Sequence, residues 1–562
     1  MPDKLKVVFC WHMHQPNYYD AVKGEYQLPW TYLHAIKDYV DMAVHLEHHP
    51  QAKAVVNFAP TLLEQLDNYA IQVRHYLSKS NRKNLKITDP LLNALATEEL
   101  PREPEARIEL IENCLRANQE RIINRFEPYL RLTRMAEWLK EKPELITYLD
   151  QQYLIDILVW YHLGWIGETI RRTDERIIAL MDKEHQYDQA DRVQLLEVIS
   201  EILTSIIPRY KALADREQVE LSFTPYAHPI IPLLLEVNSA REAVPDIPLP
   251  NFDTYPDGKK RVTWHIKQGI KVFKKYFDRE PVGCWPSEGS VSEATLHALQ
   301  ADSNVRWVAT GENVLRNSLI KAGHEGHPHH PYKLVNNDIV CFFRDDGLSD
   351  NIGFQYSNWH SDDAVNNLVH HLENIAHAAL ETGATVVPII LDGENAWESY
   401  HENGYYFLDR LYEKLSDNVY VEMATFADCL EVKTQQLPHL VAGSWVFGTF
   451  STWIGDKDKN RAWEMLHEAK QMFDQHIGEL KGKQKTLAER QLAVCEGSDW
   501  CWWFGDYNPS TSVGTFDSLY RQHLSNLYLY LGQTPPEYLK ESFSYGGGDP
   551  AAAGTMRPGQ EN

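Results

Sequence analysis

The chain belongs to the α/β class, and a parallel barrel suits it better than an open sheet. Three observations carry that reading. Seven or so β-branched runs recur at wide intervals, with helical patterns between them. The most apolar runs, such as VVPIIL at 386–391, are continuous rather than alternating, which marks strands buried on both faces. No glycine-rich dinucleotide fingerprint follows any of them.

Taken in order, Leu5–Trp11 is the first strand run. Thr31–Leu46 follows as a helix, because Leu33, Ile36, Val40 and Val44 share one face. Lys53–Phe58 is the second strand run, and the next, Val219–Phe223, begins only about 160 residues later. Segments of that interval such as Glu105–Arg125 and Arg192–Leu213 are rich in Leu, Ile, Glu, Lys and Arg, so a helical insertion is expected over about 65–215, inside a catalytic domain spanning 1–410. Pro281–Trp285, Val305–Thr310, Ile339–Phe343 and Thr385–Leu391 complete the strand set. Beyond about residue 410 the strand signal fades. Arg461–Ile477, Lys485–Glu496 and Phe516–Leu531 read as helices of a C-terminal domain over 411–535, with Leu466, Ala469, Phe473 and Ile477 on one face of the first. The tail, 536–562, is low in apolar residues and is expected to be disordered. No internal repeat is present.

Composition narrows the function. The 562 residues carry 55 Lys+Arg against 79 Asp+Glu, a formal charge of −24, which argues against nucleic acid as a partner. Seven scattered cysteines with no CxxC argue against a disulfide framework or a structural zinc cluster. The N-terminal apolar run is broken at once by His12 and His14, unlike a signal peptide, and no stretch approaches the ~20 apolar residues of a membrane span. A cytoplasmic protein with no membrane partner is the expectation. Sixteen Trp, 29 Tyr and 18 Phe supply flat rings suited to sugar faces as well as to a core.

The informative residues sit just after strand runs, where barrel enzymes keep their active sites. His12 and His14 lie two apart in an extended segment and so point the same way. Such a pair can bind a metal, hydrogen-bond a substrate hydroxyl or cap the sheet. His228, in Thr224–Pro229, marks another strand exit and can equally be a turn histidine. Glu288 stands between small residues next to Trp285, a setting for a partly desolvated carboxylate. Asp392, Glu394 and Glu398 are three acids within seven residues after an apolar strand; a solvated rim is the plain alternative. Two carboxylates on neighbouring strand ends, with His and Trp around them, suit glycoside hydrolysis. No G-x-S-x-G elbow or P-loop is present, and Ser287 and Ser290 read as turn residues.

HQP at His14–Pro16, TPYAHP at Thr224–Pro229, WPSEGSVSE at Trp285–Glu293 and DGENAWE at Asp392–Glu398 resemble, in order, the signature regions of family 57 glycoside hydrolases. GTFSTWIGDKDKNRAWEML at Gly448–Leu466 and EGSDWCWWFGD at Glu496–Asp506 are similar to the family's helical-domain stretches. The resemblance implies an incomplete TIM-like (β/α)7 barrel with a large helical insertion and a C-terminal helical domain completing the cleft. It implies retaining cleavage or transfer at α-glucosidic bonds of starch, pullulan or malto-oligosaccharides, with no metal or cofactor required. By position, Glu288 is the implied nucleophile and Asp392 the general acid/base. His12, His14 and His228 line the sugar subsite, and Glu394, Trp285, Trp397, Trp453, Asp499 and Trp500 support it or touch substrate. The wording looks most like the amylopullulanase or α-amylase-like branch, with branching enzymes as the alternative. Outside the family, the rivals are a metal-dependent hydrolase or deacetylase using His12, His14 and Asp392 as ligands, and a non-catalytic glucan-binding protein.

Overall fold

The computed structural model describes residues 4–79, 82 and 85–548. Ten strands form one sheet: β1 (Leu5–Met13), β2 (Ala54–Phe58), β3 (Val219–Phe223), β4 (Gly283–Cys284), β5 (Trp307–Thr310), β6 (Tyr332–Leu334), β7 (Val340–Phe343), β8 (Val386–Asp392), β9 (Val421–Met423) and β10 (Gln435–Leu437). Seven of them run parallel in the order β8-β1-β2-β3-β4-β5-β7. The core strands are buried along their length, as their unbroken apolar runs require. β4 keeps only two residues, and its Gly283 leaves room for the Trp307 ring, which a β-carbon there would overlap.

This is an incomplete (β/α)7 barrel. β7 and β8, the two ends of the parallel run, do not pair as strands. The seam between them is stitched instead by three bonds: Asp345 N–H donates to Pro388 O (2.8 Å), Arg344 Nε donates to Ile390 O (2.8 Å), and Ile390 N–H donates to Ser349 Oγ (3.2 Å). Pro388 turns its carbonyl to the seam, so its missing N–H falls where no ladder bond is lost.

Between β2 and β3 the chain is helical, with Pro60–Leu77, Gln151–Trp165 and Gln189–Asp215 as the long members. The helix expected over Thr31–Leu46 runs from Trp30 to His48 and holds one π turn at Ala35–Tyr39. Ile36 O there accepts the N–H of Gly167, tying the insertion to the barrel (2.8 Å). Lys457–His476, Gly482–Cys495, Asp499–Trp503 and Ser510–Tyr530 make up the C-terminal helices.

Two expectations need correction. The sheet does not end at residue 410: β9 pairs with β1, and β10 with β6. Three-residue strands are too short to leave a periodic signal. The segment after 535 is not disordered throughout. Glu537–Lys540 forms a 3-10 turn with Leu539 buried, Phe543 packs on Phe504 (4.9 Å), and Ser544 Oγ donates to Asp458 Oδ2 (2.8 Å). Residues 549–562 lie outside the described residues. Among the described residues, all seven cysteines are buried and unpaired, and no helix is long and apolar enough to cross a membrane.

Candidate active site

The parallel strands end at one face, and the register puts the key residues level. His12 is opposite Asp392 on one side and Asn57 on the other, and Asn57 is opposite Ser222. These polar groups satisfy one another: His12 Nδ1 lies 2.7 Å from Asn57 Oδ1, and Asn57 Nδ2 donates to Ser222 Oγ (2.9 Å). Beyond β1 the chain turns so that His14 N–H and Gln15 Nε2 both donate to Glu394 Oε1 (3.2 Å each), as does Tyr39 OH (3.3 Å). Glu394 is 1% exposed, and burial holds its carboxyl well above the usual range. It therefore shapes the β1 exit rather than ionising in the cleft.

Two residues of the site sit in the left-handed region, His228 at φ 59° and Glu288 at φ 57°. Neither is glycine, and such conformations concentrate at functional sites. The loop carrying Glu288 is held by a bridge between Val291 and Gly443, which delivers Trp445. Trp445 N–H donates to Glu288 O (3.1 Å), and its indole Nε1–H to Glu288 Oε2 (3.0 Å). The other carboxyl oxygen, Oε1, accepts from Ser498 Oγ (3.3 Å).

Ser498 belongs to a short strap, Glu496–Asp499, between C-terminal helices. Gly497 bridges to Pro229, and Ser498 N–H donates to His228 O (2.8 Å), with Ser498 Oγ 2.7 Å from His228 Nδ1. Asp499 Oδ1 lies 2.6 Å from His14 Nε2. Glu496 anchors the strap from below: it accepts from Arg261 Nη2 (2.8 Å) and Tyr255 OH (2.7 Å), and meets His265 Nε2 at 2.7 Å.

Burial lifts two of the carboxyls that line the cleft, Asp392 to about 6 and Glu288 to about 7, the latter further because Asp392 adds its charge. The charge of one acts on the other, so the titration steps belong to the pair. Asp392 accepts one amide donor, Asn395 Nδ2 (2.9 Å), whereas Glu288 accepts two donors. The histidines divide. Burial works against the cation on His14, yet Asp499, Glu288 and Asp392 outweigh it and raise its pKa. Burial and His14's charge push His12 down to about 3 and His228 well below the usual imidazole range. The surroundings thus favour the cation on His14 and the neutral ring on His12 and His228.

His12, His14 and His228 bring ring nitrogens within 4.8 Å of one another, which is the spacing of a metal cluster. Their rings, however, lie within 16–17° of parallel, with His14 stacked on His228 at 3.9 Å. Stacked rings keep their lone pairs in separate parallel planes, which sets His14 and His228 against aiming at one cation. Asp392, a ligand in the metal-hydrolase alternative, is not in that cluster.

A cleft of about 680 Å³ opens over these groups. His12, His14, His228, Glu288, Asp392, Glu394 and Asp499 all line it. Trp285, Trp397, Trp453 and Trp500 do not: each is at most 1% exposed and packs behind the wall. Trp397 Nε1 donates to Gly393 O (3.0 Å), bracing the Asp392 loop, and Trp500 Nε1 to Val494 O (2.8 Å), bracing the strap. Trp30, Trp445, Trp502 and Trp503 are the tryptophans on the wall. The sequence reading missed Asn57, Gln15, Ser498 and Trp445. For Ser498 the signal was its place between Gly497 and Asp499; Trp445, in a loop without periodic pattern, left none.

The sequence profile of Glycosyl hydrolase family 57 matches residues 8–440. No curated protein sequence matches the chain. Among solved structures, the chain is similar to a GH57-type branching enzyme from Pyrococcus horikoshii (17% identity, TM-score 0.56), covering 96% of this chain and 93% of that one. A GH57 branching enzyme from Thermococcus kodakaraensis gives 14% and 0.57, with 96% and 92% covered. The alpha-amylase AmyC from Thermotoga maritima gives 13% and 0.57, with 96% of each chain covered. At these identities the likeness is one of fold.

Proposed function

The chain belongs to glycosyl hydrolase family 57, and on that premise we propose that it is a retaining α-glucan hydrolase of the α-amylase or amylopullulanase kind, with Glu288 as nucleophile and Asp392 as general acid/base. The observation that carries this reading is a pair of half-buried carboxyls lining one cleft, both lifted toward neutral pH and with unequal donor sets. In the free site the proton's resting place favours Glu288. A bound glucan reverses that order: the leaving oxygen accepts from a protonated Asp392, and the electron-poor anomeric carbon favours an ionised Glu288.

The steps balance as follows. Glu288 attacks the anomeric carbon while Asp392 gives its proton to the departing oxygen, leaving a glycosyl ester on Glu288 and a carboxylate on Asp392. Asp392 then takes a proton from the incoming water, which attacks the same carbon and frees Glu288. The two N–H and O–H donors on Glu288 stabilise it as attacking and as leaving carboxylate. His14, as a cation held by Asp499, faces both carboxyls and favours their charged forms. An acceptor sugar hydroxyl in place of water makes the same site a transferase.

Proton NMR with pullulan and, separately, amylose tests this reading. Wild type should release new α-anomeric reducing ends, and Glu288→Gln and Asp392→Asn should not. Rearranged chains with few new reducing ends identify a branching or transfer activity instead. Wild type indistinguishable from both variants on every glucan overturns the assignment.

A further inference from the structure

Arg344 stands outside the roles described so far, in the sequence FFRDD at the end of β7. It is fully buried, and its guanidinium is used on every side. Nη1 donates to Asp346 Oδ1 (2.7 Å), Nη2 to Asp350 Oδ1 (2.6 Å), and Nε across the seam to Ile390 O (2.8 Å). Its plane lies over the Trp445 ring, 5.2 Å from the centroid. Ile390 is two residues before Asp392 on β8, and Trp445 grips Glu288 through both its backbone and its indole N–H.

We propose that Arg344 is a positioning residue for both catalytic carboxyls, fixing their separation from the open seam of the barrel. In a closed barrel, ladder bonds between β7 and β8 would hold the last turn of β8. Here the Asp345–Pro388 bond closes the seam lower down, and the upper end, where Asp392 stands, is held by the guanidinium together with the Ser349 hydroxyl, which accepts Ile390 N–H (3.2 Å). A single neutral donor would serve a staple, and burying a charge for that purpose is costly. A planar fork, by contrast, can bind two carboxylates and a carbonyl while stacking on an indole. Arg344 thereby ties the β8 end carrying Asp392 to the ring that holds Glu288. Its charge also reaches Asp392 and favours the ionised form. The charged and titratable groups around this arrangement are Asp346, Asp350 and Glu312 beside Arg344, and His14, Glu288 and Glu394 beside Asp392.

This inference rests on the glucan reading for its rates but not for its titration. Arg344→Lys keeps the charge and loses the fork, so kcat should fall by about tenfold or more with the pH limbs in place. Arg344→Gln loses both, so the acid limb of kcat/KM, the one near the Asp392 value, should also rise, by about half a pH unit or more. Asp350→Asn, at the more exposed end of the fork, is the variant expected to fold in any case. It should lower kcat without raising that limb, because the cation stays. Infrared difference spectra of the protonated-carboxyl band, assigned with Asp392→Asn, read the titration of the pair without substrate. Folded Arg344→Lys and Asp350→Asn proteins with wild-type kcat overturn the positioning role. An Arg344→Gln protein whose carboxyl band titrates as wild type overturns the electrostatic one. Wild type inert on every glucan, with the band shifted in Arg344→Gln, refutes the function and leaves the coupling standing.

Discussion

Glu496→Gln is a sharp test of how the C-terminal helices complete the site, because Glu496 touches no substrate and lies behind the wall. Its carboxylate is buried against Arg261, His265 and Tyr255, and although burial opposes the charge, Arg261 and His265 pull its pKa from 4.5 to about 2. That depression corresponds to ~3 kcal/mol of stabilisation by the ionised form. An independent route gives a similar figure: breaking a buried pair leaves Arg261 uncompensated, at about 3–5 kcal/mol. The sign follows from the depressed value. The stabilisation is complete above pH 4.5 and is lost as the pH falls through 4.5 toward 2, so the gap between wild type and variant should close over that range. At pH 7 the melting temperature of Glu496→Gln should fall by at least about 2 °C, as scanning calorimetry would show. Activity on amylose at a temperature where the variant is still folded should fall as well, because Ser498 and Asp499 lose their anchor. A variant that melts with wild type at pH 7, or whose deficit is unchanged at pH 3, refutes the argument.

Other expectations follow from the same geometry. The pH profile of kcat/KM should be bell-shaped with limbs near 6 and 7, the values to which burial lifts Asp392 and Glu288. Trp445→Phe removes the indole donor from Glu288, so the limb near 7 should move to higher pH and kcat should drop by about 10–100-fold with the melting temperature little changed. Asp499→Asn removes the main support of the His14 cation; the His14 pKa, followed by NMR, should fall, and both limbs should then shift alkaline because His14 no longer favours the two carboxylates. A profile unmoved by Asp499→Asn would separate His14 from the catalytic pair.

The barrel was legible because its strands are buried on both faces, and continuous runs such as Val386–Leu391 need no partner sequence to be recognised. The exits were legible for a related reason: polar residues that end an apolar strand, as His12 and Asp392 do, have few structural excuses. What escaped notice were contacts made over long sequence distances. Trp445 reaches Glu288 from 157 positions away and Ser498 from 210, and no local pattern encodes either. The four tryptophans next to the motifs misled for the opposite reason. Trp285, Trp397, Trp453 and Trp500 have the chemistry of sugar platforms, yet a ring that large beside a site is as useful for bracing its loops. β9 and β10 were lost to their length alone.

The left-handed backbone at Glu288 sets activity against durability. Holding a residue with a β-carbon at φ 57° costs about 1 kcal/mol or more, and a glycine at that position escapes most of it. Burying a carboxyl there adds a further penalty that only catalysis repays. A chain that exchanged Glu288 for glycine would lose its proposed nucleophile and relax its backbone at once. The exchange would also strip the Trp445 indole and the Ser498 hydroxyl of an acceptor, so backbone relief and lost hydrogen bonds pull stability in opposite directions.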